Sequence, residues 1–209
     1  RQLRDSRFTV AATEASFDTG EALKPVSLVL SDGTRISVYG KIDRIDRTDD
    51  GTMFRIIDYK TGRSHTFDPA KFASGETIQL PLYLEAAKQL GGEAVGMYYM
   101  PLSTDPPESE DEQPKHLLSG ITASDPDAIA ASDPNLTKRS ELIKKLAVKK
   151  DGTFSGDLVS REQLEALKER ALKQATVTAE RILNGEADVF PTESARAISA
   201  WTVARRPGM

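Results

Sequence analysis

The chain has 209 residues, 38% hydrophobic and 29% charged, which suits a globular domain with a sizeable core of its own. Thirty-two acids against 28 bases argue against a generally basic nucleic-acid coat, so any nucleic acid has to meet a local patch of lysine and arginine. With no cysteine and two histidines, disulfides, thiolate zinc sites, cysteine nucleophiles, cysteine-held iron–sulfur clusters and His-rich metal sites are all excluded for this chain.

The sequence opens at Arg1 without a methionine and enters patterned sequence at once, so we expect residues 1–209 to be a single domain cut from a longer protein. Val26 to Leu30 and Thr34 to Ile45 are β-rich runs flanking Ser31-Asp32-Gly33, and Met53 to Tyr59 follows Asp49-Asp50-Gly51. Asp-Gly between such runs signals hairpins. From Ile78 to Leu90 the spacing of Leu80, Leu84 and Ala87 becomes helical, with Pro81 tolerable only in the first turn and Gly91-Gly92 as the stop. Ala94 to Met100 reads as a further strand, and the acidic, proline-rich stretch from Ser103 to Pro114 as a surface loop.

Later in the chain, Lys138-Arg139, Lys144-Lys145 and Lys149-Lys150 form the densest basic stretch, either a solvated face or a track for a DNA strand. Ser160 with Gln163 makes a capping-box pattern. The helix it starts carries Leu164, Leu167, Ala171, Ala175, Ile182 and Leu183 on one stripe, Glu165, Lys168, Glu169 and Lys173 on a solvated one, and stops at Asn184-Gly185. No 18-residue apolar run and no signal-peptide core is found, so a soluble, cytoplasmic protein without membrane contact is expected. His65 and His116 fall in loop sequence and are assigned no role.

Chemistry concentrates at the second hairpin. If it turns on Asp50-Gly51 as a two-residue loop, partners across the ladder have numbers that add to 101, and Asp43 stands opposite Asp58, with Lys60 two residues on along the same face. Opposed positions bring Cβ atoms to about 4.5–5.5 Å. Two bare carboxylates that close repel by a few kcal/mol at an intermediate dielectric, so something positive belongs between them. Lys60 supplies one charge, and a hard divalent cation such as Mg²⁺, which takes carboxylate oxygens and keeps several waters, fits better. The plainer alternative pairs Asp43 with Arg44 or Lys41 and leaves Asp58 and Lys60 as a surface ion pair; the apolar Ile56-Ile57 beside them weighs against it, because buried charges need partners or ions.

Three blocks, Gly40-Lys41-Ile42-Asp43-Arg44-Ile45-Asp46, Ile57-Asp58-Tyr59-Lys60-Thr61-Gly62 and Gln79-Leu80-Pro81-Leu82-Tyr83, resemble in order and spacing the RecB-type branch of the PD-(D/E)XK nucleases. Ser119-Gly120-Ile121, the Asp-Pro at Asp133, Lys149-Lys150-Asp151-Gly152 and Ile182-Leu183-Asn184-Gly185 with Phe190-Pro191 extend the resemblance to the nuclease domain that ends the AddB type of helicase-nuclease chain. The resemblance implies an α/β, restriction-endonuclease-like core: a mixed central sheet flanked by helices. It further implies a Mg²⁺- or Mn²⁺-dependent nuclease in which Asp43 and Asp58 hold the metal, the Tyr59 carbonyl can add a ligand, Lys60 is the catalytic lysine and Gln79 and Tyr83 line the site.

Glu14, placed before the first strands, is similar to an upstream acidic position of that family and is a further metal-ligand candidate. Implied partners are single-stranded DNA, on which Tyr83 could stack, an AddA-type helicase subunit and the rest of the chain's own protein, in double-strand-break repair and recombination. Such domains close on a cysteine cluster holding an iron–sulfur centre; Ser194 to Trp201 occupies the corresponding place without cysteine. Two other readings are a noncatalytic DNA-binding scaffold of the same complex and a stand-alone CRISPR-associated (Cas4-like) nuclease.

Overall fold

A computed structural model describes residues 5–61, 67–74, 77–102, 117–186 and 203–205. The acidic loop read at 103–114, His65, His116 and Ser194 to Trp201 lie outside the described residues. None of the described helices is long and apolar enough to cross a membrane.

The centre is a mixed six-stranded sheet in the order β1 (Phe8–Phe17), β4 (Gly40–Thr48), β5 (Met53–Lys60), β6 (Glu93–Pro101), β7 (Ser119–Ala123) and β10 (Leu158–Val159). β5 and β6 run parallel, joined through α1 (Pro69–Ser74) and α2 (Gln79–Ala87); β1–β4, β4–β5 and β6–β7 are antiparallel. A parallel pair needs a crossover connection, and the helical stretch after β5 supplies it. The long α4 (Arg161–Leu183) begins on Ser160, which completes the capping box with Gln163, and packs on α2. Pro81 sits in the first turn of α2, where its missing N–H costs nothing.

Three expectations are corrected. The run at Val26 and the first part of the run at Thr34 do not enter the central sheet: β2 (Val26–Val29) and β3 (Arg35–Val38) pair around Ser31-Asp32-Gly33 in a separate sheet with β11 (Val203–Arg205), and only the part from Gly40 on joins the central sheet, in β4. The run from Thr34 to Ile45 breaks at Tyr39, between β3 and β4, and at Gly40, the first residue of β4, an added Cβ would lie 2.4 Å from the Phe17 ring, so β4 can lean on the end of β1 only through a glycine. Glu14 does not precede the strands but lies inside β1, an edge strand in which Thr9, Thr13, Glu14 and Ser16 are interspersed among apolar residues. Along α4, Ile182 and Leu183 are exposed, whereas Lys168 is buried. Burial opposes the Lys168 charge, yet Glu165 at 2.5 Å and Glu85 of α2 at 2.8 Å hold its ammonium above the ordinary value. The ammonium thus ties the two helices together instead of facing solvent.

The β4–β5 pairs Arg44 with Ile57, Ile45 with Ile56, Asp46 with Arg55 and Arg47 with Phe54 all add to 101. The loop is nevertheless four residues, not two: β4 ends at Thr48 and β5 begins at Met53. Asp50 explains the difference, because its carboxylate accepts from the Thr48 hydroxyl (2.6 Å), the Thr52 N–H (3.0 Å) and the Thr52 hydroxyl (2.8 Å), closing a turn in place of ladder bonds. Those bonds, the Thr48 hydroxyl first, hold the Asp50 carboxyl down at about 2.

Alternation along β4 and β5 sends Ile45 and Ile56 to the helix-covered core with Leu80, Tyr83 and Leu164, and Ile57 to a second core with Tyr98, Leu118 and Leu142 on the other side. On that other side Asp46, with no exposed surface, accepts from Arg44 through both oxygens (2.6 and 2.7 Å) and from Arg55 Nε (3.0 Å). Burial pulls Arg55 below its ordinary value, and its guanidinium also lies 4.3 Å over the Phe8 ring, which ties β1 to the triad. Asp46→Ala strands two buried guanidiniums, so unfolding by urea should register a loss of about 3–5 kcal/mol. A loss within 1 kcal/mol or so would mean that the arginines reach water and that the triad does not hold the register.

Candidate active site

The continuation of the same register places Asp43 of β4 level with Asp58 of β5, on the face covered by α2. Asp43 Oδ2 accepts the backbone N–H of Tyr59 at 2.8 Å, a bond that crosses from one strand to the other and locks the two carboxylate-bearing residues together. Asp58 is 2% exposed. A lone carboxylate there would be strongly disfavoured, but Lys60 Nζ approaches Asp58 Oδ2 to 2.5 Å and Gln79 Nε2 donates to Asp58 Oδ1 at 3.1 Å.

Gln79 stands at the first position of α2, so its side chain is free of the helix's own packing and points back over the end of β5. Both ends of its amide are engaged: Oε1 accepts from Lys60 Nζ at 3.0 Å, and Nε2 also donates to the Tyr83 hydroxyl at 2.9 Å, one turn along the same helix face. Tyr83 is 6% exposed and meets Phe17 edge-on at 6.0 Å between ring centroids. Burial pushes its hydroxyl up to about 12, and the charges of Asp58 and Asp43 add to the shift, as they must if both carboxylates face this tyrosine. So enclosed, the Tyr83 ring lies behind Gln79, with its hydroxyl on the Gln79 amide.

One residue escaped the sequence reading. Tyr99 of β6 pairs in register with Asp58, and Lys60 Nζ lies 5.0 Å from its ring centroid, a cation–π contact at the floor of the site. Burial, then the Asp58 charge, raises the Tyr99 hydroxyl well above its ordinary value. The parity of β6 could have shown it, since Met97 and Tyr99 share a face and Met97 lies level with Ile56. Lys41, two residues before Asp43 and weighed above as its partner, forms its ion pair with Glu14 instead. Glu14, with φ at 51°, turns out of the β1 ladder to meet Lys41 Nζ at 2.9 Å, and its side chain is 65% exposed. The Glu14 hydrogen bond, its charge and the more distant charge of Asp43 raise the Lys41 ammonium, so Lys41 stands between the two acids.

The groups that could hold a cation here are hard oxygens: the carboxylates of Asp43 on β4 and Asp58 on β5 and the carbonyl of Tyr59, next to Asp58 in β5, while Glu14 is held on Lys41. Among the described residues no group of three or more His, Cys, Asp and Glu side chains gathers closely enough to enclose an ion. A set of two carboxylates and a carbonyl suits Mg²⁺, which demands oxygen and retains several waters, and suits a cation with an all-protein cage poorly.

Comparison with known proteins adds an independent line. The family model described as the PD-(D/E)XK nuclease superfamily matches residues 1–197. Among curated proteins, the chain is 28% identical to the AddB chain of the ATP-dependent helicase/deoxyribonuclease of Clostridium kluyveri, an alignment covering 91% of this chain and 18% of the relative. Identity to the corresponding AddB chain of Moorella thermoacetica is 31% (90% of this chain, 18% of the relative), and to that of Pelotomaculum thermopropionicum 29% (98% and 19%). The chain therefore spans about a fifth of the length of these relatives.

Because Tyr83 holds its proton to about 12 when folded and to about 10 when unfolded, the folded state binds that proton more tightly, and the resulting stability is complete below pH 10 and lost as pH rises toward 12. Urea unfolding between pH 9 and 11.5 should show wild type losing up to about 1.4 kcal/mol per pH unit through this group, and Tyr83→Phe losing less. Identical slopes would mean that the hydroxyl is open to solvent.

Proposed function

The chain belongs to the PD-(D/E)XK nuclease superfamily, and from that premise we propose that it hydrolyses DNA phosphodiester bonds at the Asp43–Asp58–Lys60 cluster. The observation that carries the proposal is the convergence of two carboxylates and an ammonium on one buried end of the sheet, tied by Gln79. A fold has no structural need for charges so placed, since an apolar set of the same volume stabilises as well or better.

In this reading Asp43 and Asp58, with the Tyr59 carbonyl, hold Mg²⁺ or Mn²⁺, and Glu14 joins them from the rim if Lys41 gives way. When bound, the cation supplies charge relief to the phosphate and acidity to a water. Lys60, 21% exposed in its side chain and fixed by Asp58 and Gln79, reaches the space in front of the carboxylates. There the ammonium balances the charge that grows on the phosphate as the new P–O bond forms and the bond to the 3′ oxygen breaks, or, once it has released a proton to solvent, the free amine orients the attacking water and takes its proton. Gln79 is a positioning residue: it fixes Asp58 and Lys60 relative to one another. Tyr83 positions Gln79 in turn.

The names of the relatives support a place in a helicase–nuclease assembly, with the rest of a longer chain and an AddA-type helicase subunit delivering unwound strand during double-strand-break repair. Delivery by a motor would also suit a chain whose net charge is −4.

Cleavage of end-labelled single-stranded DNA across a Mg²⁺ titration tests the proposal. Wild type should cut, and Lys60→Ala should lose about 10²-fold or more at every metal concentration. Lys60→Arg should not restore the rate, because guanidinium keeps its proton near neutral pH. Wild-type rates for Lys60→Ala at saturating Mg²⁺ would reduce the lysine to a counter-charge and remove it from the chemistry.

A further inference from the structure

The basic residues that the site leaves unused are concentrated in one small unit. Residues 138–157 carry Lys138, Arg139, Lys144, Lys145, Lys149 and Lys150 against Glu141, Asp151 and Asp157, in a chain where acids outnumber bases. All six bases are exposed. Asp157 engages Lys145 at 3.0 Å, and Asp151 is turned onto the Thr153 hydroxyl and N–H at 2.7 and 3.0 Å. Lys138, Arg139, Lys144, Lys149 and Lys150 have no ion pair among the described residues.

The backbone assembles these residues. β8 (Ala147–Val148) and β9 (Phe154–Ser155) form a hairpin whose tip is closed by Lys149 N–H to Thr153 O (2.8 Å) and Gly152 N–H to Lys149 O (3.0 Å). Residues 138–140 run along its other edge through an Arg139–Ala147 bridge and a bond from Val148 N–H to Lys138 O at 2.7 Å. Lys138 is thereby brought beside the Lys149-Lys150 tip. Beneath, buried Ser140 donates to Asp133 at 2.7 Å and accepts the N–H groups of Leu142 and Ile143, which makes the unit stiff. Its apolar underside, Leu142, Ile143 and Leu146, packs with Ile57 and Tyr59, the two residues flanking Asp58, on the opposite side of the sheet.

We propose that this hairpin unit is a second nucleic-acid contact, separate from the cleavage site, which holds the sugar-phosphate backbone of the DNA by charge alone. The inference rests on the reading of the chain as a DNA nuclease. Lysines are point charges on flexible stems, suited to phosphates and blind to sequence. The unit's one aromatic, Phe154, is half-buried in the hairpin, so base stacking contributes nothing. Seated against the back of Ile57 and Tyr59, the unit keeps a constant position relative to Asp58, so a strand held there enters or leaves the site at a set distance.

The test is fluorescence anisotropy of a labelled oligothymidylate bound to the 209-residue chain in EDTA, repeated across a salt series. Each phosphate contact on a single strand contributes about −0.7 to the slope of log K against log salt. The variant Lys138→Glu/Arg139→Glu/Lys149→Glu/Lys150→Glu should bind at least about tenfold more weakly at low salt, with a slope shallower by about 2–3. Replacing the same four by Gln should weaken binding in the same direction while leaving thermal unfolding unchanged. The control Arg170→Glu/Lys173→Glu, on the exposed side of α4, should bind as wild type. Unchanged affinity and slope in both fourfold variants, or an equal loss in the control, overturns the proposal. Because no metal is present, a wild type that binds but never cuts when Mg²⁺ is added would sink the nuclease reading and leave the binding surface standing.

Discussion

The antiparallel register between β4 and β5 is the constraint from which the rest follows. Because side chains alternate, one set of pairings decides at once that Asp43, Asp58 and Lys60 share the helix-covered face and that Arg44, Asp46 and Arg55 share the other. A slip of one residue would exchange the two sets, driving the arginines under α2 and the carboxylates into the second core. The Asp46 triad resists that slip, since Arg55 Nε reaches the carboxylate only when Asp46 stands opposite Arg55, while the Arg44 fork within β4 fixes that carboxylate in place. The Asp50 turn caps the same hairpin from its closed end. Two unrelated sets of polar contacts therefore hold one register, and the site is its consequence.

On the helix-covered face the difficulty is to keep charge where water is scarce. Asp58 is stabilised by an ammonium and an amide drawn from different elements, so its environment depends on how α2 is seated on the sheet. α4 presses on α2 through buried Lys168, which gives the distant capping box at Ser160 a part in holding Gln79 in place. The low effective dielectric that raises the Tyr83 and Tyr99 hydroxyls also strengthens every interaction a charged group makes there. Lys60 is the exception in exposure, with its ammonium at the boundary between the buried carboxylate and solvent.

Much of this was legible in the sequence. Asp-Gly turns, a number sum of 101, a capping box and a proline in the first turn of a helix are local signals, and the structure keeps all of them except the length of the Asp50 loop, where side-chain acceptors replaced ladder bonds. What escaped notice depends on tertiary context. β1 is an edge strand whose Thr9, Thr13, Glu14 and Ser16 give no apolar run, so periodicity alone passed over it. The need for glycine at position 40 comes from the ring of Phe17, twenty-three positions earlier, and cannot be seen in the run that contains it. Lys168 looked solvated because charge on a helix usually is, and only the arrival of Glu85 from α2 makes its burial tolerable. Tyr83 was legible as a neighbour of Gln79 but not as a buried one, because its enclosure by Phe17 is a contact between the first strand and the second helix.

The central claim is that Asp43 and Asp58 together form a divalent-cation site. Calorimetric titration of Mn²⁺ into the wild-type chain, Asp43→Ala and Asp58→Ala addresses it without reference to turnover. Wild type should bind with a measurable heat, and each variant, still folded by circular dichroism, should bind at least about tenfold more weakly, since one of two anionic ligands has gone. Mn²⁺ affinity unchanged in both folded variants would contradict the account, because the opposed carboxylates would then have no metal to hold.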